Sequence, residues 1–147
     1  MTETEYEKMI TDIAILVHEK FREIYREKNN GTRVKTTTDK EWIKKYGTDQ
    51  ADIAKLRYPE VSKDWKKSRW LGSKAAVDAL SEAKKANKSL DEKFIEYASD
   101  IVHNEWLSRN RNVEEEYKLP YKDLSEDAKE KDRIFVRAAL EIYQSEK

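Results

Sequence analysis

The sequence contains no cysteine, and only three glycines and two prolines, in 147 residues. Without cysteine there is no disulfide, no cysteine metal site and no cysteine nucleophile. So few glycines and prolines exclude collagen, glycine-rich phosphate loops and β-sandwiches with many tight turns. The longest apolar run, Ile13 to Val17, is far shorter than the ~18 residues that span a bilayer. Because the N-terminus is acidic where a secretory signal is basic, we expect a cytoplasmic protein without a membrane partner.

An excess of charge of one sign is also missing, since thirty basic and thirty acidic side chains cancel. This balance disfavours a protein that binds nucleic acid through its overall charge. Charged residues make up 41% of the chain, but four Trp, eight Tyr and three Phe are too many aromatics for a disordered one. We therefore expect residues 1–147 to form a single compact domain.

Apolar residues recur at spacings of three and four along most of the chain, which predicts a mainly α fold. The first helix is expected from Glu3 to Lys28, where Asn29-Asn30-Gly31 ends it. The segment Ser89-Leu90-Asp91-Glu92 has the pattern of a capping box, in which Ser89 caps the following helix. Three further helix starts are expected. Thr38 is a candidate cap for a short helix that ends at Gly47. Ser62 is a candidate start for a helix that runs toward Ala86, and Ser125 is a candidate cap for the last helix.

The two halves of the chain resemble each other. Lys55-Leu56-x-Tyr58-x-x-x-Ser62-x-Asp64 returns 63 positions later as Lys118-Leu119-x-Tyr121-x-x-x-Ser125-x-Asp127, and Val17-His18-x-x-Phe21 matches Val102-His103-x-x-Trp106. Chance likeness in a chain rich in Lys and Glu is the alternative, but we favour a duplication, with repeat one at about 3–86 and repeat two at about 89–145. The expected architecture is two pseudo-symmetric helix–connector–helix repeats packed as one domain, with room for short extended segments in the connectors.

One stretch of the second half resembles a known family. His103-Asn104-Glu105-Trp106, followed by Leu119-Pro120-Tyr121-x-x-Leu124-Ser125-x-x-x-Lys129-x-x-Asp132-Arg133, is similar to the ryanodine-receptor-type (RyR) repeat. The first half matches more weakly, with Phe21 in place of the tryptophan. Stand-alone tandem versions of this family occur in bacteria and phages. In the receptor channels, paired repeats form a cleft in which the two aromatic residues hold an adenine-type ring.

The resemblance therefore implies a non-enzymatic binding domain for an adenine nucleotide or a nucleotide-derived signal, without a cofactor or a metal. Phe21 and Trp106 would stack on the ring, although their place on apolar helix faces is equally typical of core residues. Tyr25, Arg26 and Arg109 would reach a polar tail. Tyr58 and Tyr121 are also candidates, through hydroxyls at the edge of the cleft, but they are more typical of residues that pack under the turns before the helices that follow them.

The two histidines at equivalent positions, His18 and His103, invite a metal or acid–base interpretation. A metal would need further ligands, and catalysis would need a nucleophile or a glycine elbow, which the sequence does not offer. We expect each histidine to donate a hydrogen bond to a carbonyl of the connector that follows it.

Residues 33–74 carry twelve basic and six acidic side chains with tryptophans among them. Such a segment can bind phosphate groups or a nucleic-acid backbone, but more often it is a solvated face with its rings turned inward. An alternative function is a protein-interaction module, such as a phage-encoded antagonist of a host factor, that docks through this segment. Nucleic-acid binding is the weaker alternative.

Overall fold

A computed structural model describes residues 2–145 of the chain. Within this range the chain forms five α-helices and one antiparallel pair of short strands. In chain order these are α1 (Glu3–Lys28), β1 (Val34–Thr36), α2 (Lys40–Tyr46), β2 (Gln50–Asp52), α3 (Lys63–Lys85), α4 (Glu92–Arg109) and α5 (Glu126–Ser145). The prediction of a mainly α fold is confirmed, and the two strands occupy the room left for extended segments in the first connector.

The four long helices surround one apolar core. Helix α1 packs on α3 and α5, and α4 packs on the same two helices from the other side. Each helix turns its apolar face inward because its hydrophobic residues recur at helical spacing. The most deeply buried aliphatic side chains come from all four helices and include Ile10, Ile13, Val17, Val77, Val102 and Val136.

Helix α1 has the bounds that its sequence predicts. The Thr2 hydroxyl caps it by accepting a hydrogen bond from the Glu5 backbone N–H at 3.1 Å. At the other end, Asn30 and Gly31 take positive φ angles of 55° and 75°, which few residues other than Asn and Gly adopt readily.

Two helix starts differ from the sequence prediction. Helix α2 is capped by Asp39, not Thr38, because the Asp39 carboxylate accepts the Trp42 backbone N–H at 3.3 Å. Helix α4 is capped by Asp91 instead of Ser89, with the same contact to the Phe94 backbone N–H at 3.1 Å. In both places an aspartate follows the predicted serine or threonine within two residues and directly precedes the helix, and its carboxylate binds the free N–H groups more strongly than a hydroxyl.

The first connector is longer than the second and has structure of its own. Strand β1 pairs with β2, with Val34 opposite Asp52, and α2 lies between the two strands in sequence. The Asp64 carboxylate ties this connector to the start of α3 by accepting the Thr37 hydroxyl at 2.7 Å and the Thr38 N–H at 3.1 Å. Strand β1 is thereby held beside the helices.

Equivalent positions of the proposed repeats have equivalent local structure. A 3₁₀ turn begins at Tyr58 and another at Tyr121, and each leads into the next long helix, α3 or α5. The His18 Nε2 donates to the Leu56 carbonyl at 2.7 Å, and the His103 Nε2 donates to the Leu119 carbonyl at 2.8 Å. The predicted hydrogen bonds from the histidines to the connectors are confirmed. The pseudo-twofold relation of the halves stays a prediction.

Among residues 2–145, no helix combines the length and the hydrophobicity needed to cross a bilayer.

Candidate ligand-binding cleft

A cleft of about 360 Å³ opens between the two halves of the molecule. Its walls come from α1, β1, α3, α4 and α5, together with the segment that follows α4. The two helices that carry the matching His-x-x-aromatic patterns, α1 and α4, both contribute residues to it. A volume of this size lies in the range of small-molecule sites, roughly 300–1,000 Å³.

Pairs of equivalent residues line the cleft. Arg69 and Asp132, and Gly72 and Phe135, are separated by the same 63 positions that relate the connectors, and all four face the cavity. The pair of α1 and α4 aromatics, Phe21 and Trp106, also lines it. Most of these pairs differ in chemistry, so the two sides of the cleft are not alike.

Half-buried aromatic rings form much of the wall. Trp106 on α4 lies edge-to-face with Tyr117, with ring centroids 6.2 Å apart, and nearly parallel to the His103 imidazole. Trp65 on α3 also borders the cavity, and its indole N–H donates to the Thr36 carbonyl at 3.1 Å. These hydrogen-bonded and packed rings offer ready surfaces for a flat ligand.

Phe21 contributes to the cavity but is only 4% exposed. The Arg69 guanidinium lies 4.2 Å from its ring centroid, and the Phe135 and Tyr25 rings pack beside it at 6.0 and 6.1 Å. Phe21 is therefore part of the core at the base of the cleft, and Arg69 already occupies one of its faces. The expectation that Phe21 offers an open stacking surface equal to that of Trp106 is corrected.

The cleft is rich in cations. Arg109 is the one predicted from sequence, and it is held by the Glu105 carboxylate, with Nη2 2.8 Å from Oε1, and by the Ser68 hydroxyl at 3.3 Å. It links α4 to α3 at the cleft wall. The further cations are Arg33, Lys35, Arg69 and Lys131.

His103 and Asp132 form a buried pair at the cleft, with Nδ1 3.4 Å from Oδ2. Burial opposes a charge on His103, but the bonds to Asp132 and to the Leu119 carbonyl outweigh it and raise the pKa of the imidazole. Burial also raises the pKa of Asp132. The His103 Nε2 carries a proton, because it donates to the Leu119 carbonyl. When His103 and Asp132 together have no net charge, a second proton lies between the His103 Nδ1 and the Asp132 Oδ2.

The equivalent histidine, His18, has no such partner. Its Nδ1 makes no hydrogen bond within the described range 2–145, and burial lowers its pKa. It stays neutral and holds the first connector through the Leu56 carbonyl. The two histidines thus share one structural bond, but the pKa of His103 is raised whereas that of His18 is lowered.

Of the predicted ligand-binding residues, Phe21, Tyr25, Trp106 and Arg109 come together in the cleft, and the other three lie elsewhere. Arg26 is exposed, because its position on α1 points away from the other helices. Tyr58 packs against the His18 ring, with centroids 6.3 Å apart. Tyr121 is buried, and its hydroxyl donates to the Glu96 carboxylate at 3.0 Å. Burial and this carboxylate raise the pKa of Tyr121 to about 12. Neither tyrosine lines the cleft.

Sequence reasoning missed most of the basic wall. Arg33, Lys35, Trp65 and Arg69 all lie in the basic, aromatic-rich segment 33–74, which was recognised as able to bind phosphate but not connected to the cleft. Nothing in the sequence marks Lys131, which reaches the cavity from α5. No group of three or more histidine, aspartate or glutamate side chains within residues 2–145 is arranged to hold a metal ion.

No family model, curated protein or solved structure matches the chain.

Proposed function

We propose that this chain is a tandem RyR-type repeat, a non-enzymatic domain whose cleft binds an adenine nucleotide or a nucleotide-derived signal. It would act in the cytoplasm of a bacterium or of a phage-infected cell. One observation carries the proposal: half-buried aromatic rings line the same cavity as four cations that form no salt bridge within residues 2–145, namely Arg33, Lys35, Arg69 and Lys131. A base gains about 1–3 kcal/mol by stacking on one aromatic side chain, and cations attract its phosphates.

Trp106 is the ring best placed to stack on the base. It is half-buried at the cleft wall, and Tyr117 packs edge-on against it at 6.2 Å, which fixes its orientation. A ring that is already ordered loses little conformational entropy when a ligand binds.

The surroundings of His103 support binding without catalysis. Its Nε2 is committed to the Leu119 carbonyl and its Nδ1 faces Asp132, so neither nitrogen is free to take a proton from a ligand. Ser68 has its hydroxyl on Arg109 and no histidine beside it within residues 2–145. The cleft therefore lacks a paired nucleophile and base over that range.

The lining also supports the duplication. Residues at matching positions of the two halves, such as Gly72 and Phe135, meet at one cavity. Contact between equivalent residues is what a twofold relation between two copies requires at its axis. This arrangement agrees with the cleft between paired repeats that the family resemblance implies.

The alternative of a protein-interaction module gains no such support. None of the tryptophans in segment 33–74 is exposed: Trp42 is buried, Trp65 borders the cleft, and Trp70 packs against the core with its N–H on the Thr11 hydroxyl. Of the aromatic side chains of this segment, Tyr46 is exposed, and it stacks on the buried Trp42 with ring centroids 4.4 Å apart.

Isothermal titration calorimetry with ATP, ADP, ADP-ribose and cyclic nucleotides tests the proposal. We expect at least one to bind the wild type, and Trp106→Ala to weaken it about tenfold or more, as the loss of one stacking contact implies. Trp70→Ala is the matched control, because Trp70 is also half-buried but lies outside the cleft. Absence of binding by all these ligands, or equal effects of the two substitutions, would contradict the proposal.

A further inference from the structure

Four cations of the cleft come from three different elements. Arg33 directly precedes β1, Lys35 lies on β1, Arg69 is on α3, and Lys131 is on α5. No carboxylate in residues 2–145 forms a salt bridge with any of them, although acidic residues are as common as basic ones in this chain. We refer to these four side chains as the cation quartet.

Each member of the cation quartet lies over an aromatic ring of the cleft. The distances from the charged group to the ring centroid are 6.0 Å for Arg33 over Tyr25, 5.7 Å for Lys35 over Trp65, 4.2 Å for Arg69 over Phe21 and 5.3 Å for Lys131 over Tyr117. Rings hold the positive charges in place without neutralising them. The charges stay available to a ligand.

The members are close enough to repel one another. Burial, followed by the charges of Arg33, Lys131 and Arg69, lowers the pKa of Lys35, and the exposed Glu114 offsets this only in part. Burial likewise lowers the pKa of Arg69. Mutual repulsion of like charges costs stability in the empty cleft, and a bound anion would relieve it.

Two buried donors of the quartet have no hydrogen-bond partner. They are Arg33 Nε and Arg69 Nη2, within the part of the chain that the structure describes. A buried donor without a partner is costly, and phosphate oxygens are strong acceptors for guanidinium groups. Other half-buried arginines are paired with carboxylates, namely Arg22 with Glu19, Arg109 with Glu105 and Arg133 with Glu96.

The charge of the site sets the charge of the ligand. Two carboxylates line the cleft within residues 2–145: Asp132, which lies against His103 with Nδ1 3.4 Å from Oδ2, and the exposed Glu114, which offsets the positive charges around Lys35 only in part. We propose that the cation quartet is a subsite for a diphosphate or triphosphate group, so that the ligand carries two or more adjacent phosphates and not one. This inference rests on the proposed nucleotide site, but its anion half can be tested alone.

Calorimetry with adenosine, AMP, ADP, ATP and inorganic pyrophosphate provides the test. We expect affinity to rise from AMP to ADP by about tenfold or more, as one further set of charge-assisted hydrogen bonds implies, and to fall as salt is added. Pyrophosphate alone should bind, and inorganic phosphate should bind more weakly.

Substitutions locate the subsite. Arg69→Gln and Lys131→Gln should each weaken ADP binding about tenfold while leaving adenosine binding unchanged. Lys131 is exposed, so its replacement does not endanger the fold even if Arg69→Gln does. Arg26→Gln is the matched control, because it removes one positive charge from an exposed site outside the cleft and should change neither affinity.

The outcomes separate the two proposals. Equal binding of adenosine and ADP would overturn the diphosphate subsite and leave the nucleotide cleft standing. Binding of pyrophosphate without binding of any nucleoside or nucleotide would keep the subsite and overturn the proposed function. If Arg26→Gln weakens ADP binding as much as Lys131→Gln does, the assignment of the subsite to the cation quartet is overturned. If none of these compounds binds, both proposals are overturned.

Discussion

Replacing Gly72 with alanine should destabilise the protein, although alanine is the better helix former. Gly72 lies within α3, where the change to alanine would by itself stabilise the helix by about 1 kcal/mol. A Cβ atom at this position would lie 2.5 Å from Phe135 Cε1 and 2.9 Å from Cδ1 and Cζ. Carbon atoms pack at about 3.5–4.0 Å, so the ring would have to retreat by about 1 Å.

The ring of Phe135 cannot retreat freely, because Phe21 packs edge-on against it at 6.0 Å. Overpacking of this kind costs about 1–3 kcal/mol. After the gain in helix propensity, we expect Gly72→Ala to lower the free energy of unfolding by up to about 2 kcal/mol. Since Phe135 also lines the cleft, its displacement should change ligand affinity as well.

A double-mutant cycle with Phe135→Leu isolates the steric effect. Urea denaturation of the wild type, both single variants and the double variant gives the four free energies of unfolding. In the Phe135→Leu background the clash is absent, so Gly72→Ala should be neutral or stabilising by up to about 1 kcal/mol. Effects that add within about 0.5 kcal/mol would refute the explanation from the close approach of the ring.

Two further predictions concern stability. Asp64→Ala removes the acceptor of the Thr37 hydroxyl and the Thr38 N–H, and should lower the free energy of unfolding, measured in urea, by about 1–3 kcal/mol. Asp127→Ala is the control at the matching, exposed position and should change the free energy of unfolding by less than about 0.5 kcal/mol. Equal losses in the two variants would contradict the stabilising role of the Asp64 contacts to the connector. Burial holds the pKa of His18 below its unfolded value of about 6.5, so the unfolded chain takes the proton first and stability falls as pH drops through that value. The His18→Gln variant lacks this pH-dependent contribution. The difference in free energy of unfolding between wild type and variant should therefore become smaller from pH 7.5 to pH 5. A difference that stays constant over this range would contradict the lowered pKa of His18.

The helices were predictable because their signals are local. Apolar spacing and the Asn-Gly end define α1, and Ser62 and Ser125 stand directly before α3 and α5, although only the Ser125 hydroxyl accepts a capping hydrogen bond, from the Ala128 N–H at 3.2 Å. The caps at Asp39 and Asp91 were missed because several residues that can cap stand close together, and the choice depends on where the backbone turns. The connector bonds of His18 and His103 were predicted because the same residue types recur at matching positions.

The cleft was predictable only in part. Phe21 and Trp106 were found through the repeat, but a helical pattern cannot tell a ring on the core side from a ring at the edge of a cavity. Arg69 was missed for a related reason. It occurs among other basic residues of α3, and its place over the Phe21 ring of α1, which depends on how the two helices pack, distinguishes it from them.

The extra length of the first connector gives the cleft its polarity. Without it, equivalent positions of the two halves would supply the whole lining, and only the differences within pairs such as Arg69 and Asp132 would separate the two sides. The first connector adds Arg33, directly before β1, and Lys35, on β1, and the second connector, which contains no strand within residues 2–145, has no counterpart. Three cations of the quartet come from the first half of the chain and one from the second, and such an uneven lining fits an asymmetric ligand better than a symmetric one. For that reason a nucleotide with a phosphate chain should bind more tightly than a cyclic dinucleotide of twofold symmetry.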